Sequence, residues 1–374
     1  MKKHLLRLAF INGLLFLSIC IFAQEYSDFY FTRVNGENGL SESNVKAILQ
    51  DSYGFMWFGT KNGLNRYDGT SILQFDCDDL EEGTGNHNIG ALFEDKERNL
   101  WVGTDRGVYI YNPAVDVFKR FKIASSEGIT LDNWVAEILS DSLDNIWVLI
   151  PDQGLFRYKD GKVHHYSLID KDNLKNNNPE CICINEQGEV WVGTSGIGLF
   201  KYNYRDDNFE QYLTDRMGRS LIDKTIISIC FQKENAILGI HEGDLLKYNT
   251  RTDELSEVSF LGEKKTFLRD VMCFGDEIWV GSLHGIFIIN EKENNVIHLK
   301  EDLMRSFSLS DNSIYSIYKD YEGGIWIGTM FGGVNYLPNR ILTFAKYVPG
   351  SDPYSLNTKR IRGLAEDNNG CIWI

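Results

Sequence analysis

A tryptophan-centred phrase recurs along this chain at nearly even spacing. The strong copies are Met56-Trp57-Phe58-Gly59-Thr60, Leu100-Trp101-Val102-Gly103-Thr104, Val190-Trp191-Val192-Gly193-Thr194, Ile278-Trp279-Val280-Gly281-Ser282 and Ile325-Trp326-Ile327-Gly328-Thr329. Weaker copies contain Trp147 and Ile237, and an incomplete one ends the chain at Ile374. Successive centres lie 42 to 47 residues apart. A period near 45 residues, built from short β-type runs, is typical of a propeller in which one repeat forms one blade.

The first repeat contains four short β-type segments, at residues 44–51, 55–59, 64–67 and 71–75. Turn residues separate them: Ser52-Tyr53-Gly54, Lys61-Asn62-Gly63 and Asp68-Gly69. Such a pattern predicts a meander of four antiparallel strands with tight connections. The fold class we expect is therefore all-β, a seven-bladed β-propeller of four-stranded antiparallel blades. The start of a further, second-propeller blade follows at the C-terminus.

Two segments govern the domain boundaries. Residues 29–33 are predicted to form an outer strand that closes the ring, because ring closure removes exposed sheet edges. Residues 341–347 resemble the same strand placed before a new repeat. We therefore expect a signal peptide at residues 1–23, a seven-bladed propeller at 24–340 and the first strands of a second, truncated propeller at 341–374. An eight-bladed ring that is cut short is the alternative.

The repeated tryptophan and glycine have a structural explanation. A blade is too thin to bury its own apolar faces, so it needs a neighbour on each side. We expect each indole to act as a wedge between adjacent sheets. The glycine beside it is expected to let neighbouring backbones approach closely.

The N-terminus has the composition of an export signal. Lys2, Lys3 and Arg7 flank an apolar stretch, and Ala23-Gln24 is a suitable cleavage point. A permanent membrane span and a lipoprotein signal at Cys20 are the alternatives. We expect the mature region to be periplasmic, with its parent protein in the inner membrane and the membrane reached only through a segment downstream of this chain.

The net charge of −15 argues against contact with nucleic acid, which takes a basic face. Four cysteines, Cys181, Cys183, Cys230 and Cys273, lie in apolar runs before the tryptophan phrase and are expected to be small buried hydrophobes. A metal pair at Cys181 and Cys183 is the alternative. No cofactor, metal site or catalytic residue is predicted.

The recurrent pattern Asp-x-x-Gly-x-Φ-Trp-Φ-Gly-Thr-x-x-Gly-Φ, in which Φ is apolar, resembles the two-component regulator propeller repeat. The opening segment from Gly39 to Gly69 resembles the start of the sensor region of hybrid two-component proteins. Repeat five departs from the pattern at Ile237, and repeat three has Val148-Leu149-Ile150 where Gly-Thr is expected. The resemblance implies a periplasmic sensor ahead of a histidine kinase that this chain does not contain. It further implies an oligosaccharide signal, a homodimeric receptor and control of polysaccharide-utilisation genes.

A ligand is expected at the mouth of the central channel, on the face with the loops between blades and after the Gly-Thr phrase. Sugars need aromatic platforms and fixed polar groups. The candidate residues are Asn62, His87, Arg106, Trp134, His241, His284 and Phe331. The competing interpretation is that these are solvated loop residues.

Two other function classes remain open at this point. A periplasmic polysaccharide lyase or glycoside hydrolase would need paired carboxylates or a His/Tyr/Arg set, and no spacing singles one out. A protein-interaction or dimerisation scaffold is compatible with sensing. Fold alone does not decide between them.

Overall fold

The computed structural model describes residues 29–76, 88–122, 125, 128–168, 178–260, 266–305, 307–339, 356, 360–368 and 371–374. The predicted signal peptide, Cys77, the candidate His87 and the predicted strand at 341–347 lie outside the described residues. Within the described part, no helix has the length and apolar character needed to span a bilayer.

The described chain is built of short strands and one 3-10 turn at Gly36–Asn38. The strands are β1 (Thr32–Val34), β2 (Val45–Gln50), β3 (Met56–Thr60), β4 (Gly63–Tyr67), β5 (Ile72–Phe75), β6 (Ile89–Glu94), β7 (Leu100–Thr104), β8 (Gly107–Asn112), β9 (Val117–Arg120), β10 (Glu137–Ser140), β11 (Ile146–Ile150), β12 (Gly154–Lys159), β13 (Lys162–Tyr166), β14 (Pro179–Ile184), β15 (Val190–Ile197), β16 (Leu199–Asn203), β17 (Asn208–Tyr212), β18 (Ile222–Gln232), β19 (Asn235–Ile240), β20 (Leu245–Asn249), β21 (Glu254–Glu257), β22 (Leu268–Phe274), β23 (Glu277–Ser282), β24 (Gly285–Asn290), β25 (Asn295–Leu299), β26 (Ile314–Lys319), β27 (Ile325–Thr329), β28 (Val334–Leu337), β29 (Ala365–Glu366) and β30 (Ile372–Trp373).

These strands form four-stranded antiparallel units, as predicted for an all-β propeller. Six units in the described part use consecutive strands, from β2–β5 through β22–β25, and a seventh combines β26, β27 and β28 with β1. We number them blades one to seven by their first strands, β2, β6, β10, β14, β18, β22 and β26. A pairing of β15 with β18 joins blades four and five into one eight-stranded sheet.

The first strand of each blade is its inner strand. It contacts the inner strand of the next blade at each step except from blade three to blade four, where β11 contacts β14, and β26 in turn contacts β2. The N-terminal strand completes this arrangement, because Thr32 pairs with Tyr336 and Val34 with Val334 of β28. This pairing agrees with the predicted closure, although the strand begins at Thr32 rather than at residue 29.

The tryptophans lie between blades, as predicted. The ring of Trp57 in blade one is 5.7 Å from that of Tyr111 in blade two, measured between centroids. Trp147 is 4.8 Å from Tyr202 of the following blade. Trp57 and Trp147 are both buried. Trp57 and Trp147 thus fill the space against the third strand of the next blade.

At most of the glycines in the repeated phrase, the space that a Cβ would fill is occupied by a side chain of the next blade rather than by its backbone. A Cβ on Gly59 would lie 2.6 Å from Cγ2 of Ile89, the residue that begins the next inner strand. At Gly328 the neighbour is backbone, since its Cβ would lie 2.6 Å from the carbonyl oxygen of Val45. The expectation of close backbone approach is therefore wrong for most blades, where a β-branched side chain occupies the gap.

The expectation that all four inner-strand cysteines are small buried hydrophobes is wrong for two of them, because these two form a disulfide. Cys230 of β18 and Cys273 of β22 form a disulfide between blades five and six. Cys181 and Cys183 are free, and Cys181 is buried. The disulfide lies in the cluster that contains Ile237, the residue that replaces tryptophan in repeat five. A covalent link is thus present where the indole wedge is absent.

The last strands begin another repeat. β29 and β30 pair, and Trp373 Nε1 donates a hydrogen bond to Asp367 six residues earlier, at 3.0 Å. The same Asp–Trp bond occurs in blades one, two, three and seven.

Candidate functional site

Hydrogen bonds hold the turn after the Gly-Thr phrase against the segment that enters the inner strand of its blade. Lys61 N donates to Asn44 O at 3.2 Å, and His241 N donates to Thr225 O at 2.9 Å. Equivalent bonds occur in blades two, four, six and seven. The turns between second and third strands and the connections between blades therefore share one face.

The threonine of the phrase shapes the turn itself. Thr60 Oγ1 donates to Gly63 O at 2.9 Å and accepts from Asn62 N at 3.1 Å. Thr104 makes the same pair of bonds with Gly107 and Arg106. Asn62 and Arg106 thus lie on tight, pre-formed turns with exposed side chains.

The other candidates on this face have separate local environments. His284 Nδ1 lies 2.6 Å from Thr266 Oγ1, and the half-buried His241 ring lies 5.0 Å from that of Phe267. Phe331 is 70% exposed. The Trp134 ring lies against Lys46 of an inner strand, whereas the rings of His241 and His284 contact residues of a connection between blades, so the candidates do not form one cluster.

Side chains of the inner strands, which appear in the sequence only as apolar runs, complete the site. Six of the inner strands in the described part carry a register shift at the same place, and the residue passed over is Lys46, Gly90, Glu180, Ile227, Arg269 or Tyr315. A bulge of this kind re-aims a side chain and is frequent beside functional sites.

Lys46 lies over the Trp134 ring, and two further bulge residues lie beside Lys46. Lys46 Nζ lies 4.5 Å from the centroid of the Trp134 ring and 5.9 Å from that of Tyr315. Arg269 Cζ lies 5.7 Å from the Tyr315 centroid. These residues come from blades one, six and seven and from the connection between blades two and three, so they can meet only at the central channel. We call Lys46, Trp134, Arg269 and Tyr315 the channel-mouth cluster.

Gly90 makes space for this cluster. A Cβ at Gly90 would lie 2.6 Å from two atoms of the Trp134 ring and 2.4 Å from Val135 O. Glycine at this bulge therefore allows the indole to lie over the inner strand of blade two, within reach of Lys46. Aligning the inner-strand segments of all repeats could have brought the cluster's bulge residues Lys46, Arg269 and Tyr315 to one position.

The cluster is electropositive. Burial lowers the pKa of Lys46, and the nearby charges of Lys61 and Arg269 lower it further, while Asp105 acts in the opposite direction. Lys46 is half-buried and Arg269 is exposed to the channel mouth.

The inner strands of blades three, four and six also carry acidic residues. Burial, and then the charge of Asp152, raise the pKa of Glu180. One residue beyond the bulge position, burial raises the pKa of Glu137 to about 8 and that of Asp270 to about 6.

Glu137 and Asp270 bind the next inner strand. Glu137 accepts a hydrogen bond from Ile182 N at 2.7 Å, and Asp270 accepts one from Ile317 N at 2.8 Å. Both carboxyl groups therefore hold neighbouring blades together. No group of three or more potential metal ligands occurs among the described residues.

Family comparison agrees with this architecture. The model described as two component regulator propeller matches residues 39–62, 83–106 and 308–331. These segments belong to repeats one, two and seven. A histidine kinase named P4 from Formosa agariphila is 26% identical over 230 residues, which are 59% of this chain and 17% of that protein.

Solved structures share the fold over nearly the whole chain. The extracellular domain of a putative hybrid two-component system from B. thetaiotaomicron is 25% identical with a TM-score of 0.71, covering 92% of this chain and 46% of that domain. A second such domain from B. thetaiotaomicron is 23% identical with a TM-score of 0.70, covering 92% and 44%. The chain thus spans about half the length of these domains. The repeats and the fold identify the chain as a β-propeller that has three matches to the two-component regulator propeller model and is similar to the extracellular domains of hybrid two-component systems.

Proposed function

We propose that this chain is the extracytoplasmic ligand-sensing region of a two-component system and that its ligand is an oligosaccharide. The observation that carries the proposal is the channel-mouth cluster, in which two aromatic rings and two cationic donors from separate blades meet at the hub. Aromatic faces beside fixed polar groups are what a sugar needs for stacking and hydrogen bonding. The disulfide between blades five and six supports an oxidising compartment.

The proposed mechanism is transmission by population shift. Binding at the mouth favours one arrangement of two receptor chains, and that bias reaches a histidine kinase encoded downstream, which controls polysaccharide-utilisation genes. The chain itself binds its ligand and does not turn it over.

Calorimetry against neutral oligosaccharides of defined length tests the proposal. Trp134→Ala should abolish binding, while Trp134→Tyr should retain part of it because a stacking face remains. The matched control is Tyr53→Ala, because Tyr53 is an exposed aromatic residue in the turn between β2 and β3, at the other end of those strands.

Three results would contradict the proposal. These are no binding of any oligosaccharide, an equal loss on Tyr53→Ala, and turnover of a bound glycan by the purified chain. The last would favour a polysaccharide lyase or glycoside hydrolase.

A further inference from the structure

The channel mouth concentrates positive charge in a chain whose net charge is −15. Lys46 Nζ and Arg269 Cζ both lie near the Tyr315 ring, at 5.9 and 5.7 Å from its centroid. No acidic side chain of the described residues forms an ion pair with either cation. The charge of Asp105 favours protonated Lys46, against the larger effects of burial and of the positive charges of Lys61 and Arg269.

Such a pair is costly unless something neutralises it. Lys46 is half-buried, and the positive charges of Lys61 and Arg269 oppose its own. Partly buried charges in proteins are ordinarily paired, because desolvation without a partner is unfavourable. The cations here are held by aromatic rings instead, which leaves their hydrogen-bonding groups available to a ligand.

The geometry points to the channel mouth as the site of an anionic oligosaccharide. Its carboxylate or sulfate group pairs with Lys46 and Arg269, and an adjoining sugar ring stacks on Trp134. Charge-assisted hydrogen bonds to carboxylate or sulfate suit a guanidinium and an ammonium group held close together. This inference rests on the proposed function and adds the chemical class of the ligand.

The rest of the channel limits how much negative charge the ligand carries. Glu180 lies on the inner strand of blade four and Asp152 in a turn of blade three, and burial raises the pKa of Glu180. A uniformly charged polyanion such as nucleic acid would meet these carboxyl groups and the overall negative field. A sugar chain with spaced acidic groups places its charge on the Lys46–Arg269 side and presents neutral hydroxyls to the acidic side.

Calorimetry of the chain with three probes of equal length tests this inference: an oligogalacturonide, a sulfated galactan fragment and a neutral cello-oligosaccharide. The acidic probe that binds should lose about tenfold or more in affinity on Lys46→Met and on Arg269→Gln, with a weaker salt dependence. Comparing the affinities for the oligogalacturonide and the sulfated galactan fragment shows whether a carboxylate or a sulfate group is preferred. Affinity for a neutral probe should change less than about twofold.

The matched control is Lys319→Met. Lys319 also lies near an aromatic ring, 5.5 Å from Phe274, but at the opposite end of an inner strand. The Lys319→Met substitution removes one positive charge and should leave the affinity for the acidic probe unchanged. An unchanged melting temperature shows that each variant is folded.

The outcomes separate this inference from the proposed function. Neutral binding without a preference for acidic probes, or an equal effect of Lys319→Met, overturns the anionic site and leaves oligosaccharide sensing intact. Failure of every probe to bind overturns both. Acidic binding that survives Lys46→Met and Arg269→Gln together places the anion elsewhere and also overturns the inference.

Discussion

The aspartate six residues before a tryptophan holds the turn and the indole of its repeat together. Asp141 accepts hydrogen bonds from Trp147 Nε1 at 2.9 Å, from Asn145 N at 3.0 Å and from Leu143 N at 2.9 Å. Burial alone would raise the pKa of Asp141, but the bonds from Trp147 and Asn145 hold it below its ordinary value. One carboxylate therefore accepts hydrogen bonds from several buried donors. Removing it would leave these donors without an acceptor, which lowers the free energy of unfolding.

Replacing this carboxylate should destabilise the chain strongly. Asp141→Ala leaves the indole and two backbone amides without their acceptor, so we expect a loss of about 3 kcal/mol in the free energy of unfolding. The control is Asp276→Ala, which removes an exposed ion pair with Lys292 and should cost less than about 1 kcal/mol. Chemical denaturation measures both. Equal costs would show that Asp141 has no special structural role.

The carboxyl of Glu137 predicts a pH dependence of stability. Its folded pKa, about 8, is above the ordinary value of 4.5. Its stabilising contribution is therefore fully present below about pH 4.5 and is lost as pH rises through 8. Glu137→Gln keeps an acceptor for Ile182 N and removes the titration. The melting temperature of the variant minus that of the parent should rise between pH 5 and pH 8. A constant difference would be inconsistent with a raised pKa.

At the scale of strands, the contact between one blade and the next depends on the glycine of the repeated phrase. A Cβ at Gly103 would lie 2.6 Å from Cγ1 of Val135 and 3.0 Å from Cβ of Ala91. These neighbours belong to the next blade and to the inner strand of the same blade. A larger residue at position 103 would therefore have to push two sheets apart, because the movement of a single side chain would not make enough room.

Gly103→Ala should lower the free energy of unfolding by about 1–3 kcal/mol, as expected for overpacking. Gly36→Ala is the control, because a Cβ at Gly36 meets no atom within 4 Å. Thermal unfolding distinguishes them. If both variants melted together with the parent, the blades would not be packed as closely as described.

The disulfide between β18 and β22 stabilises the pair of blades that lacks the tryptophan wedge. It closes a loop of 43 residues, which in the chain-entropy model contributes about 2–4 kcal/mol. The double variant Cys230→Ala, Cys273→Ala should melt earlier than the parent and should not respond to reductant. Cys371→Ser, at an exposed free cysteine, is the control. A parent melting temperature that is insensitive to reductant would contradict this role.

Sequence patterns located strands much better than they located the channel-mouth cluster. The segments predicted at 44–51 and 55–59 became Val45–Gln50 and Met56–Thr60, because alternation and turn residues report strand position directly. Lys46 was missed because a bulge sets the direction of its side chain, and register is not visible in one repeat. The disulfide was missed because Cys230 and Cys273 lie 43 residues apart and meet only through blade packing.

At the scale of the whole molecule, sequence did indicate how the ring ends meet. The N-terminal strand β1 supplies the outer strand of blade seven, so the two ends of the propeller are joined by backbone hydrogen bonds rather than by a covalent link. Arg33 adds side-chain bonds to Ser308 O and Leu309 O, each at 3.2 Å. The shared hub, and with it the channel-mouth cluster, depends on this closure, because Lys46 and Tyr315 lie on opposite sides of the joint.

Hydrogen–deuterium exchange of the chain and of two truncations tests the closed ring most directly. In the parent, amides of β1 and β28 should exchange slowly, as in a paired core strand. Removing residues 1–28 should leave that protection intact, whereas removing residues 1–35 should expose β28 and loosen the contact between β26 and β2. Rapid exchange of β1 in the parent, or unchanged protection of β28 after the longer truncation, would contradict closure of the ring and the site built on it.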